Sequence, residues 1–98
     1  MTTTPARRVA TFAEIDQPGD YCGPMLCFVC DGEQSCFFLL PNSRDEGGAP
    51  QQRSVNHVHF PPHVYRECPD GSLEIRESIG AQPYWHGYLD EGNIWRQV

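Results

Sequence analysis

Proline and glycine interrupt this chain so often that a long helix cannot form. The 98 residues contain nine prolines and nine glycines. Proline lacks a backbone donor and clashes inside a helix, while glycine loses more conformational entropy than other residues when it is fixed. No stretch shows an apolar period of 3.6 residues over a useful length. The sequence therefore predicts an all-β fold, and its length matches a single small domain.

Apolar and alternating runs predict about six short strands joined by turns and long loops. Residues 73–76 alternate apolar and charged side chains, as a half-buried strand does. Residues 86–89 and 93–97 flank a turn, which predicts a C-terminal hairpin. The remaining predicted strands are residues 25–30, 36–40 and 55–60, with weaker runs at residues 9–15 and 64–67.

Two segments offer no apolar anchor to a folded core. Residues 1–8 are threonine-rich and basic, which predicts a disordered tail, so the single β-domain is expected to span residues 9–98. Residues 41–54 are rich in polar residues and glycine. They predict a long loop that is mobile or closes only on a partner, because nothing offsets the entropy cost of ordering it.

The charge balance argues against nucleic acid as the main partner, and a protein partner is expected instead. The chain has 13 acidic and 7 basic residues, a formal net charge of −6, whereas phosphate binding needs a basic surface. No apolar run reaches the ~18 residues of a membrane span, and the first ten residues lack the apolar core of a signal peptide. The expected location is the cytoplasm, where the five cysteines suit metal binding better than disulfides.

Cys27 and Cys30 have the spacing of a metal knuckle. Two thiolates two residues apart on a turn can both reach one zinc ion at ~2.3 Å. Cys36 follows closely, so the sequence predicts a zinc site with Cys27, Cys30 and Cys36 as ligands. Further candidate ligands are Cys22, Cys68, His57, His59 and His86. The alternative is that Cys27 and Cys30 are small buried residues of a strand.

His57 and His59 are alternate residues of a predicted strand, so both imidazoles are expected on the same face. This arrangement can present two metal ligands. It is equally the pattern of an amphipathic strand whose polar face meets solvent, with Val58 and Phe60 facing the core.

Ser78 and His86 are the candidate catalytic pair. They lie eight residues apart on segments short enough to meet, and a serine becomes a nucleophile when a base lies within ~3 Å. The alternative is a serine at a strand end and a histidine packed on Trp85.

Five short motifs stand out along the chain: Cys27-x2-Cys30, Gly71-Ser-Leu73, Glu77-Ser-Ile-Gly80, Trp85-His-Gly-Tyr-Leu89 and Gly92-Asn-Ile-Trp95. Their order resembles that of a family of small phage and prophage proteins. The same family supplies the peptidase-like component of some bacterial ubiquitin-like conjugation operons. The resemblance implies that Ser78 and His86 are catalytic and that Cys27 and Cys30 form the knuckle.

Two functions are therefore expected from the sequence. One is a serine hydrolase that acts on a ubiquitin-like protein tail or ester through Ser78 and His86. The other is a non-catalytic phage accessory or anti-defence protein with a structural zinc site, which binds its partner through residues 85–88 and the loop at residues 41–54.

Overall fold

The computed structural model describes residues 2–29, 32–41, 55–81 and 85–98. These residues form strands and one 3₁₀ turn at Phe12–Glu14, which confirms the predicted all-β fold. The described strands number nine, more than the six predicted, because several are only two to four residues long. In chain order they are β1 (Thr2–Pro5), β2 (Arg7–Arg8), β3 (Asp20–Leu26), β4 (Gln34–Leu39), β5 (Val55–Phe60), β6 (Tyr65–Glu67), β7 (Leu73–Ala81), β8 (Trp85–Asp90) and β9 (Ile94–Gln97).

The strands form two sheets. One has the order β1-β9-β8-β7-β6, and the other has the order β2-β3-β4-β5. The predicted C-terminal hairpin is present as β8 and β9, with Leu89 opposite Trp95. In the second sheet β4 pairs with β3 on one side and β5 on the other, which places Phe37 opposite His57.

Both sheets contribute to one hydrophobic core. Aromatic rings lie at its centre: Trp95 meets Trp85 edge to face, with 5.6 Å between ring centroids. The hydroxyl of Tyr21 bridges the sheets, because it accepts a bond from the Leu73 backbone N–H and donates one to the side chain of Asn93. Its burial raises the pKa of Tyr21 to about 12, so the phenol stays protonated.

Two strands lie within residues 2–8, where the sequence predicted a disordered tail. β1 pairs antiparallel with β9, and β2 pairs parallel with β3. Three threonines suit an extended edge strand, since β-branched residues favour that conformation. Arg7 also forms two hydrogen bonds to the buried carboxylate of Asp20, at 2.9 and 2.6 Å, and holds the pKa of that carboxyl well below its usual range.

Two further predictions about strands need correction. The predicted strand at residues 25–30 ends at Leu26, after which Phe28 and Val29 are about 60% exposed. Residues 9–15 contain the 3₁₀ turn instead of a strand, and the hydroxyl of Thr11 donates to the carboxylate of Glu14 there. The predicted loop at residues 41–54 lies, apart from its first residue, outside the described residues. No helix in the described part of the chain is long and apolar enough to cross a membrane.

Candidate metal centre

Cys27, His57 and His59 form a group that can hold a metal ion. One potential ligand atom from each, the cysteine sulfur or a ring nitrogen, lies within 4.8 Å of the other two. Ligands at ~2.0–2.3 Å from a tetrahedral zinc ion are separated by about 3.3–3.8 Å. Small side-chain rotations would therefore bring these three atoms to metal-binding distances.

The sheet register explains how residues thirty positions apart come together. His57 and His59 are alternate residues of β5, so they share one face, and their rings are 4.9 Å apart. The middle strand β4 separates β5 from β3, and Cys27 follows directly after β3. The Cys27 N–H donates to the carbonyl of Glu33 at 2.7 Å. This bond holds Cys27, at the start of the β3–β4 connection, beside Glu33, at its end.

Aromatic rings cover one side of this group. The Phe37 ring lies 5.2 Å from the His57 ring, and Phe28 stacks on Phe37 with 4.8 Å between centroids. Phe12 completes the cluster with edge contacts to both phenylalanines. Cys27 itself is buried, whereas His57 is exposed and His59 half-buried. The site thus lies at the surface, with its sulfur ligand on the sheltered side.

The other predicted metal ligands have different positions. Cys36 lies on β4 opposite Val58 and belongs to the hydrophobic core, on the other face from Phe37 and His57. Burial raises the pKa of the Cys36 thiol, which disfavours the thiolate that a metal requires. The structure therefore argues against Cys36 as a ligand. Cys30 lies outside the described residues, so its role stays a prediction.

The histidine pair was visible in the sequence, but its connection to Cys27 was not. Alternation along residues 55–60 placed both imidazoles on one face, as the structure confirms. The missing information was the strand order, since only the pairing of β4 with both β3 and β5 carries His57 and His59 towards Cys27.

Ser78 and His86 lie on neighbouring strands, β7 and β8. His86 is opposite Gly80, and a bulge between Ile75 and Ile79 disturbs the register beside Ser78. Both residues are half-buried and lie outside the core. Within the described residues no hydrogen bond joins their side chains. The Ser78 carbonyl oxygen contacts His63 Nε2 at 3.0 Å, and the His86 carbonyl oxygen accepts the Val98 N–H at 3.0 Å. The catalytic pair stays a prediction.

The binding surface expected at residues 85–88 is smaller than the sequence suggested. Trp85 is only 2% exposed and contacts Trp95 in the core. Tyr88 remains half-buried, with the guanidinium of Arg96 over its ring at 4.2 Å. Only His86 and Tyr88 therefore offer side-chain surface in this segment.

A concave site lies between residues 8–12 and 22–25 and has a volume of about 400 Å³. Its lining is mostly apolar, and the one charged side chain among its described lining residues is Arg8. That guanidinium is already bonded to the carboxylate of Glu67 and to the carbonyls of Gly23 and Gly71. The charged side chain of this concavity is thus already engaged by other parts of the protein.

Comparison with known protein families, curated proteins and solved structures found no match to this chain. The resemblance to phage proteins stays a prediction from short motifs.

Proposed function

We propose that this protein is a zinc-binding β-domain in which Cys27, His57 and His59 hold the ion. The observation that supports this proposal most is that one sulfur and two ring nitrogens lie within 4.8 Å of one another. Zinc binds this mixture of ligands, and soft thiolate with imidazole disfavours the hard cations calcium and magnesium.

The role we propose for the ion is structural. It would add a direct bond between the β3–β4 connection and β5, which the rings of Phe28, Phe37 and His57 already bring together on this face. A domain of 98 residues has limited core, and binding energy from a metal adds directly to its stability. The knuckle spacing makes Cys30 our candidate for the fourth ligand, which would close a Cys2His2 site.

We propose that the domain is non-catalytic and binds a protein partner in the cytoplasm. A net charge of −6 supports a protein over nucleic acid. A reducing compartment supports metal binding by cysteine, because thiols stay available there as ligands.

Metal titration of the metal-free protein tests the proposal. We expect one zinc ion per chain, measured against a competing chelator. Cys27→Ser, His57→Asn and His59→Asn should each weaken zinc affinity. The loss should exceed ~10–100-fold, which is the usual effect of removing a residue that only hydrogen-bonds to a ligand. His86→Asn is the matched control, since His86 lies on β8 in the other sheet and its replacement should leave affinity unchanged. Absence of zinc binding by the wild-type protein, or wild-type affinity in all three ligand variants, would contradict the proposal.

We propose serine hydrolysis of a ubiquitin-like tail or ester as the second candidate function. It is supported by the position of Ser78 and His86 on neighbouring strands with both side chains outside the core. A fluorophosphonate probe should label the wild-type protein and not Ser78→Ala or His86→Ala. An unlabelled wild-type protein would remove this candidate and leave the zinc proposal intact.

A further inference from the structure

The carboxylate of Glu33 lies beside the metal group without belonging to it. Its Oε2 atom is 3.4 Å from Nδ1 of His59. The group whose ligand atoms all lie within 4.8 Å of one another consists of Cys27, His57 and His59. Glu33 therefore lies close to one ligand of the proposed ion, His59, and is not itself a member of the ligand group.

Glu33 also contacts a second ligand through its backbone, since its carbonyl accepts the Cys27 N–H at 2.7 Å. One residue thus fixes the main chain at the sulfur ligand and faces the imidazole of a nitrogen ligand. The Glu33 side chain is 54% exposed, and an exposed ion pair contributes little to folding stability. The contact between Glu33 and His59 therefore matters mainly because it can orient the His59 ring.

An imidazole that donates a proton from Nδ1 keeps its lone pair on Nε2. A carboxylate at Nδ1 therefore selects the tautomer that binds a metal through Nε2, holds the ring in that orientation and makes the nitrogen a stronger ligand. We propose, building on the zinc site above, that Glu33 is a positioning residue that accepts the Nδ1 proton of His59 and directs Nε2 towards the ion.

Zinc affinity of Glu33 variants tests this role. Glu33→Ala should weaken zinc binding by ~10–100-fold, the usual effect of removing an outer-sphere partner of a ligand histidine. Glu33→Gln should lose less, because its amide oxygen can still accept the proton. The matched control is Glu91→Gln, which removes one exposed acid that pairs with Arg66 at the other sheet and should leave affinity unchanged.

A second readout separates positioning from a general effect on the fold. In a long-range ¹H–¹⁵N correlation spectrum of the zinc-loaded wild-type protein, His59 should carry its proton on Nδ1 and zinc on Nε2. Zinc on Nδ1, or wild-type affinity in Glu33→Ala, would overturn the proposal for Glu33 while leaving the zinc site intact. A wild-type protein that binds no zinc would overturn both.

Discussion

Trp95→Ala is expected to unfold the protein or bring it close to unfolding. The Trp95 side chain is fully buried and contacts the rings of Trp85, Phe38 and Tyr21. Its indole N–H donates to the carbonyl of Gly19 at 2.9 Å, which ties β9 to the start of β3. Truncation of a buried tryptophan costs roughly 3–5 kcal/mol, against a total stability of about 5–15 kcal/mol for a whole domain.

Denaturant unfolding followed by circular dichroism measures this loss, and His86→Ala is the comparison. His86 is half-buried and lies outside the core cluster, so its removal should change the free energy of unfolding by only about 0.5 kcal/mol, as for other surface positions. A loss in His86→Ala as large as in Trp95→Ala would make His86 a structural residue and remove the main support for hydrolysis.

Gly87→Ala is expected to lower the free energy of unfolding more than any other glycine-to-alanine substitution in the terminal hairpin. A Cβ atom at Gly87 would overlap the backbone carbonyl oxygen of Arg96 and lie 2.7 Å from the Trp85 indole. The carbonyl belongs to the neighbouring strand β9, and Trp85 is buried, so neither can move without disturbing the sheet or the core. The destabilisation should reach or exceed the ~1–3 kcal/mol typical of overpacking.

Gly80→Ala provides the matched control on the paired strand. A Cβ atom there would meet only the His86 ring, at an ordinary contact distance of 3.9 Å. Its free energy of unfolding should stay close to that of the wild-type protein. Equal stability of the two alanine variants would show that β8 and β9 do not pack as closely as the structure has them.

Local patterns predicted elements whose side-chain alternation or turn residues are visible along the chain. The C-terminal hairpin followed from its turn residues and the strand at residues 55–60 from its alternation, and both are present. The N-terminal strand was missed because its partner is at the other end of the chain, with Thr2 opposite Gln97. The apolar run at residues 25–30 predicts a buried strand, yet Phe28 and Val29 are exposed, and Phe28 stacks on Phe37 from outside the sheet.

The sequence predicted the residue types of the candidate metal group and only some of its members. The knuckle spacing pointed to Cys27, and alternation placed His57 and His59 on one face; these three residues form the group that could hold an ion. The run at residues 36–40 is entirely apolar, so nothing in it reveals which side chains face the core. The structure shows that Phe37 faces His57, and Cys36 therefore points inward, away from the metal group.

X-ray absorption at the zinc edge of the loaded protein tests the central claim most directly, because it measures the ligand atoms around the ion. We expect a four-coordinate site with at least one sulfur at ~2.3 Å and two imidazole nitrogens at ~2.0–2.1 Å. The sulfur signal should disappear or fall in Cys27→Ser, and the imidazole signal should fall in His57→Asn. A shell of oxygen and nitrogen without sulfur, or one of sulfur without imidazole, would contradict a site built from Cys27, His57 and His59.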